Sequence, residues 1–291
     1  MKIKKSKAEW VLDFFIYVVL IALVLVTAYP IWYVIVASFS SGTYLATHGG
    51  MLLWPGEFSL GAYKGFFQHP LLMSGFRNIL IVLALGLPCS LILTVMCAYF
   101  MASSGMMLKK PITYMIMFTM YFGGGLIPTY LNIKDLGMLD TLWALILPGS
   151  LSVYNALICK TAMESVPKSL SESAYLDGAN DIQVLFKIYL PLIKPTLAVL
   201  VLYYGVAYWN SWFNASIYIK DQRLLPIQNI LRRILTANSQ LSGSAMVDNY
   251  DQYAESVKYS SIVISTLPIM CVYPFLQKYF AKGVMIGAVK G

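Results

Sequence analysis

The chain has 291 residues, 58% of them hydrophobic and only 12% charged, with a formal net charge of +8; a soluble domain carries roughly 25% charged residues. A mean hydropathy of +0.68 and the gathering of apolar residues into runs exclude an ordinary soluble protein and place the chain in the membrane class. The basic excess then belongs with topology and anionic lipid, so no nucleic-acid partner is expected.

Six intervals contain no Asp, Glu, Lys or Arg over a length that crosses a hydrocarbon core, which takes about 20 helical residues. They are Phe14 to Tyr44, Asn78 to Leu108, Pro111 to Ile133, Thr141 to Cys159, Pro195 to Ile219 and Tyr259 to Gln277. An inside N-terminus puts Lys2, Lys4, Lys5, Lys7, Lys109, Lys110, Lys160, Lys168, Lys187, Lys194, Lys278, Lys282 and Lys290 on the inner side, 13 of the 21 basic residues. Both termini are therefore expected in the cytoplasm. The resulting plan is an amphipathic cytoplasmic segment over 1–13, a six-helix region over 14–279, and a cytoplasmic tail over 280–291. The six-helix region includes a cytoplasmic loop at 160–195 and an outer loop at 217–258.

Taken in chain order, the first apolar run follows a basic start that Glu9 and Asp13 interrupt, which predicts a retained helix instead of a cleaved secretory signal. Tyr29, Pro30, Trp32 and Tyr33 fall near its outer end, where amphipathic rings are favoured. The outer segment from Ser38 to Gly75 holds both histidines, His48 and His69, without companion ligands, so solvent-facing roles are expected. Asn78 is expected to cap the second span, and Gly86 and Pro88 permit a bend or a close contact in it. The third span carries Gly123, Gly124, Gly125 and Pro128, poor material for a helix interior. A break at membrane depth must face protein or a polar cavity; a path-lining element, a tight helix contact and a simple helix end are all compatible with these residues. The fourth contains Pro148 and Gly149, followed by Tyr154 and Asn155. Cys89, Cys97, Cys159 and Cys271 lie in or beside spans without metal or disulfide spacing and are expected to be small buried side chains.

From Lys160 to Pro195 the pattern is that of two short amphipathic helices. Pro167 suits an early helical position, and Leu170, Ala174 and Asp177 share a side before Gly178 interrupts the repeat. Asn180 and Gln183 fit a capping box, Ile182, Leu185, Phe186, Tyr189 and Leu190 recur at helical spacing, and Pro191 is expected to stop the helix. This knob is too apolar for a solvated linker and calls for a packing partner. The fifth span ends in aromatic and polar residues, Tyr204, Tyr208, Trp209, Asn210, Trp212, Asn214 and Ser216. Stacking rings beside hydrogen-bonding groups suit a carbohydrate path, and an interfacial aromatic belt fits the same composition. Beyond it, Leu224 to Leu235 fits an amphipathic helix exposing Arg232 and Arg233, and Asp248, Asp251 and Glu255 form an acidic patch; together they suit an external partner. Pro268 and Pro274 interrupt the sixth span.

The loop then carries a resemblance. Glu172, Ser173, Ala174, Asp177-Gly178-Ala179, Phe186, Ile188, Leu190-Pro191 and Pro195 resemble the "EAA" signature of permease subunits in bacterial ATP-driven (ABC) importers, with Ser173 where that pattern usually has alanine. Trp209-Asn210, the terminal Gly287 to Gly291 and the run from Gly123 to Tyr130 are similar to the maltose-permease-like carbohydrate class and its subgroup for complex oligosaccharides. The resemblance implies an all-α integral membrane protein with the fold of a type I ABC importer transmembrane domain in the bacterial cell membrane. It implies pairing with a second homologous permease, two cytoplasmic ATPases that hold ATP and Mg, an extracytoplasmic solute-binding protein and an oligosaccharide substrate. No cofactor is expected on this chain itself. Glu172, Ala174, Asp177, Gly178, Ala179, Phe186, Leu190 and Pro191 would form the ATPase joint, with Gly178 permitting the turn and Phe186 anchoring the loop. ATP-driven closure of the ATPases would draw the joints together and open the path outward. Asn78, Tyr121, Gly124, Tyr130, Tyr208, Trp209, Asn210, Trp212 and Asn214 are the candidates for the sugar path, and Lys290 and Gly291 for a tail contact with the ATPase.

The chain has no G-x-x-x-x-G-K-[ST] loop, so hydrolysis is expected from another chain. A secondary active sugar transporter is the rival reading; it would place ionisable groups at midplane, and the six intervals have none. An enzyme is not expected, since the spans offer no paired carboxylates, ligand cluster or activated nucleophile.

Overall fold

The computed structural model describes residues 7–68, 70–103, 107–241, 257–271 and 274. Regular structure among them is helical, apart from one antiparallel bridge between Ser40 and Phe58. The chain divides into two compact units, Met1–His69 with Arg233–Thr266, and Pro70–Arg232 with Leu267–Gly291.

In the first unit, the unbroken apolar run forms α1 (Lys7–Ser38), 32 residues long, followed by α2 (Gly42–Thr47) and α3 (Gly61–Gln68). Ser41 caps α2, its hydroxyl accepting from the Tyr44 amide at 3.2 Å. Val36, Ala37, Leu45 and Leu52 make a small core under Tyr33, Tyr44 and Tyr259. The aromatic cluster expected as an interfacial belt also ties down the following loop: Trp32 Nε1 donates to the Leu53 carbonyl at 3.1 Å, and the Tyr29 hydroxyl accepts from the Leu52 amide at 3.2 Å. From Trp10 to Val26 the large apolar side chains of α1 are exposed, a surface that needs lipid or protein cover. His48 stacks on Tyr44 with ring centroids 4.0 Å apart.

The second unit is built on α4 (Pro70–Ala102), 33 residues long. It continues through α5 (Lys109–Tyr121), α6 (Leu126–Asp135), α7 (Trp143–Ile146) and α8 (Val153–Glu164). Next come α9 (Lys168–Leu176), α10 (Asp181–Val184), a π-helical turn over Leu185–Tyr189 and α11 (Leu190–Leu192). The last members are α12 (Lys194–Trp209) and α13 (Trp212–Tyr218). Beyond them α14 (Ile227–Leu241) starts after Pro226, three residues later than the amphipathic pattern predicts, because Gln222–Leu224 is a separate 3₁₀ turn. Arg232 and Arg233 are exposed on α14 as expected.

Among the described residues two helices are long and apolar enough to cross a bilayer by themselves, Glu9–Ser38 and Leu71–Ala102; a third span results if Asp181–Leu192 and Lys194–Trp209, bent by 83°, are taken together. At about 1.5 Å per residue the 13 residues of α5 reach only about two thirds of a hydrocarbon core of about 30 Å. The third interval is thus two short helices around an extended break, with Gly125 at φ +87°. The fourth is broken between α7 and α8, and the fifth between α12 and α13 at Asn210 and Ser211.

α4 packs along α8 and α12. Val95, Ala98, Cys159, Met163, Val166, Leu185, Ile193 and Leu200 form the core at the end where the 160–195 loop attaches. Farther along, interhelical polar contacts replace apolar ones. The Tyr208 hydroxyl donates to the Ile146 carbonyl at 3.1 Å, which leaves the Ser90 hydroxyl, 2.8 Å away, as the donor to Tyr208. Tyr204 bonds Thr94 at 2.6 Å and accepts from the Ser152 amide at 3.0 Å. The absence of a side chain at Gly86 makes room for Tyr208: a Cβ there would sit 2.9 Å from its ring.

Asn78 is not a cap, because α4 starts eight residues earlier at Pro70. It is 3% exposed, and its amide donates to the Arg223 and Leu225 carbonyls at 2.7 and 3.3 Å. Asp140 fixes another distant pair of segments, accepting from the Lys220 and Asp221 amides at 2.9 Å each. Those amides hold its carboxyl below the usual carboxylate range.

The Ser90–Tyr208–Ile146 chain predicts a measurable coupling. In a cycle of Ser90→Ala, Tyr208→Phe and the double variant, thermal unfolding in detergent should give an interaction energy of about 0.6–1.7 kcal/mol, the range for interhelical bonds in membrane bundles. Strict additivity would remove this contact as helix glue.

Candidate functional site

The loop from Lys160 to Pro195 takes its shape from two consecutive caps. At the end of α9 the Ala179 amide donates to the Ala174 carbonyl at 2.9 Å and the Gly178 amide to the Tyr175 carbonyl at 3.0 Å. This 6→1 and 5→2 pair is a Schellman motif, which needs a left-handed residue at the turn. Gly178 supplies it with φ +82°. Asn180 then starts α10 with the expected capping box: its side chain accepts from the Gln183 amide at 2.9 Å, and the Gln183 side chain accepts from the Asn180 amide at 3.1 Å.

Pro191 does not stop the second helix. The preceding turn widens to π geometry, with the Leu190 amide donating to the Leu185 carbonyl, and helix continues through Leu192. Widening accommodates a proline that cannot donate and whose ring crowds the preceding turn. The real corner is Ile193, where the path bends by 83° into α12.

Val184, Leu185 and Ile193 are buried and hold the loop to the body of the unit. Phe186 is 62% exposed, so it does not anchor the loop within this chain. With Leu176 at 90% and Ile182 at 68% exposure it forms an apolar surface on either side of the Gly178 turn. Glu172, Asp177, Gly178 and Pro191 are also exposed, while Ala174, Ala179 and Leu190 are half-buried. The expected joint residues therefore sit together on one loop, whose uncovered face mixes large apolar groups with carboxylates. Such a face suits a protein partner. Behind it lies a hollow of about 570 Å³ whose lining includes Tyr99, Lys109, Glu164, Glu172, Tyr175 and Asp181.

The path candidates separate into two groups. Asn78, Tyr208 and Trp209 are buried: the first two bond to other segments as described, and Trp209 packs edge-on against Phe76 with centroids 6.1 Å apart. Trp209 also borders an apolar hollow of about 230 Å³ with Leu83, Leu87, Val201 and Gly205. Tyr121, Gly124, Asn210 and Asn214 are exposed, and Tyr130 and Trp212 half-buried. Tyr130 stacks on Tyr218, centroids 6.3 Å apart, and the Arg232 guanidinium lies 3.6 Å from the Trp212 ring centroid. Gly123 and Gly125 have no heavy atom near a built Cβ, so their lack of a side chain is not explained by packing within this chain. Lys290, Gly291 and the acidic patch at Asp248, Asp251 and Glu255 lie outside the described residues.

Sequence reading missed Tyr99, Tyr175 and Asp181, which meet on the inner side of the loop. Tyr99 bonds partners 76 and 82 positions away, and no local pattern in the sequence signals so distant a contact. The described residues contain no cluster of three or more metal-ligating side chains.

The family model "Binding-protein-dependent transport system inner membrane component" matches residues 4–286. The chain is 38% identical over 281 residues to "Polygalacturonan/rhamnogalacturonan transport system permease protein YtcP" of Bacillus subtilis (strain 168), covering 96% of this chain and 98% of that protein. It is 40% identical over 268 residues to "Protein LplC" of the same organism, covering 91% and 90%. Its fold is similar to a chain in the crystal structure of a bacterial ABC transporter involved in the import of the acidic polysaccharide alginate, with a TM-score of 0.86, 30% identity, and coverage of 96% of this chain and 100% of the other.

Gly178→Ala isolates the strain of the turn, since nothing lies within 4 Å of a built Cβ. A left-handed alanine costs about 1–2 kcal/mol, so amides from Asp177 to Gln183 should exchange with deuterium about five- to thirtyfold faster. Unchanged exchange would remove the strain assignment.

Proposed function

Since the chain belongs to the inner-membrane components of binding-protein-dependent transport systems, we propose that it is the permease subunit forming half of the translocation path of an ATP-driven oligosaccharide importer. A second, homologous permease forms the other half, and an external binding protein delivers the saccharide. Two cytoplasmic ATPases hold ATP and Mg and carry out hydrolysis; this chain binds neither. The observation that carries the reading is the loop itself: a glycine-turned pair of short helices with Leu176, Ile182 and Phe186 uncovered. Cover for that patch comes from a partner, and the signature residues on the same face support an ATPase in that role.

The same reading assigns the broken apolar intervals to six membrane crossings with both termini in the cytoplasm. Unpaired backbone at a helix break is tolerated at membrane depth only against protein or a polar path. The break at Phe122 to Gly125 is assigned to the path on that ground, together with exposed Tyr121 and Asn214. Asn210 at the end of α12 and Trp212 at the start of α13 add a hydrogen-bonding group and a flat ring. The buried candidates Asn78, Tyr208 and Trp209 serve the path indirectly, by fixing the helices that frame it.

An acidic saccharide is the class favoured here. One relative is named for polygalacturonan and rhamnogalacturonan, and the 30%-identical structure belongs to an importer of the acidic polysaccharide alginate. Exposed Arg223 offers a cation beyond the end of α13.

Reconstitution of the chain with its second permease, ATPases and binding protein in proteoliposomes tests this directly. Oligogalacturonates or alginate oligomers should accumulate in an ATP-dependent manner, while neutral maltooligosaccharides should not. Asn210→Ala or Trp212→Ala should lower uptake about tenfold, equivalent to about 1.4 kcal/mol. ATP-independent accumulation would sink the importer reading, and preferential uptake of neutral sugars would sink only the acidic class. For the topology, a single cysteine at exposed Ser169 should react with impermeant maleimide only in inside-out vesicles; labelling in intact cells would reverse the orientation.

A further inference from the structure

One side chain outside the loop gathers both of its arms. Tyr99, on the last turn of α4, meets the Tyr189 ring edge-on, with centroids 5.7 Å apart and planes at 73°. Its hydroxyl lies 3.3 Å from the Tyr175 hydroxyl on α9, and 3.3 and 3.5 Å from the carbonyl and carboxylate oxygens of Asp181 at the start of α10. Tyr175 in turn donates to Asp181 Oδ1 at 2.6 Å. That short bond has a carboxylate acceptor, the stronger class of hydrogen bond. It commits the only Tyr175 proton, so the Tyr99 proton faces the Tyr175 and Asp181 oxygens.

We infer that Tyr99 is a positioning residue that makes α4 follow the loop when a partner moves it. The inference rests on the importer reading. Tyr175 precedes the Gly178 turn and Asp181 follows it, so a displacement of either arm pulls on one hydroxyl. Apolar contacts of the loop, such as Val184 and Leu185 against the core, are non-directional and allow sliding. The Tyr99 knot is directional and transmits a pull along α4, which also carries Ser90 and Thr94, bonded to α12 through Tyr208 and Tyr204. Tyr99, Tyr175 and Asp181 lie outside the signature positions, and all three line the 570 Å³ hollow, where the knot has room to rearrange. The hydrogen bond to Asp181 pushes the Tyr175 phenol well above its ordinary range.

The test uses the complete transporter in proteoliposomes, with Tyr99→Phe, Tyr175→Phe and the double variant. Phenylalanine at position 99 preserves the ring contact with Tyr189 and removes only the hydroxyl. The quantity read is saccharide imported per ATP hydrolysed, which a loss of assembled complex does not change. Each single variant should lower this ratio about fivefold, equivalent to about 1 kcal/mol of coupling, and the double variant should be no worse than Tyr99→Phe alone. Ratios equal to the parent complex, or losses that multiply in the double variant, overturn the shared knot. If Tyr99→Phe does not assemble, Tyr175→Phe, at a partly exposed ring, carries the same readout. A parent complex that imports nothing with ATP overturns the importer reading itself and the knot with it, whereas a coupled parent with unaffected variants overturns the knot alone.

Discussion

Two backbone hydrogen bonds, from Ala179 to the Ala174 carbonyl and from Gly178 to the Tyr175 carbonyl, close α9 in a turn that only a residue at positive φ completes without strain. The Asn180 capping box begins the next helix within two residues of that turn. With no residue between the two caps beyond the turn itself, they set the directions of α9 and α10 relative to each other. This arrangement puts Leu176 and Ile182 on opposite sides of one outward-facing corner, and it brings Tyr175 and Asp181 together behind that corner. A flexible linker of the same composition would fix neither face.

Features whose physics is local were legible in the sequence. The capping box needs only residues three apart, the glycine turn needs one residue of unusual freedom, and the glycine run of the third interval breaks its helix because nothing local stabilises helix there. Each appears where it was expected. The family, too, was legible, since the loop signature includes the Gly178 turn. Proline was misread: Pro191 reads as a stop, yet widening of the preceding turn to π geometry absorbs it and moves the corner to Ile193. A helix can repair one missing donor with one wider turn, and sequence alone does not say when the packing of Leu185 makes that repair worthwhile.

Contacts that join distant segments were not legible. Asn78 has the chemistry of a cap and a plausible place for one, but its amide is spent on carbonyls about 145 positions away. Tyr208 and Trp209 look alike in composition to Asn210 and Trp212, and both pairs suit a sugar path. Helical phase separates them: Tyr204 and Tyr208, four residues apart, turn inward to α4 and to the segments on either side of the α7–α8 break, while Asn210 and the helix break point the following residues elsewhere. Composition gives the inventory of such a stretch, and only the packing of α12 on α4 assigns it.

The arrangement of α12 and α4 bears on how a movement of the loop reaches the rest of the chain. The second arm of the loop continues covalently into α12 through Ile193, so any displacement there acts at an 83° corner. A pull across a corner mainly rotates the helix beyond it. α4 has no covalent link to the loop, and through Tyr99 it is held near its end. It is also bonded to α12 farther along, at the Ser90–Tyr208 and Thr94–Tyr204 pairs. Those two pairs lie four residues apart on each helix and resist sliding of one past the other, since sliding would strand buried hydroxyls. Rotation of α12 with α4 fixed would break them, so the two helices must move as one body. Tyr99 on α4 and Ile193 before α12 both sit at the loop end of that body, so a loop displacement acts on the two helices together and turns the pair without shearing its interface.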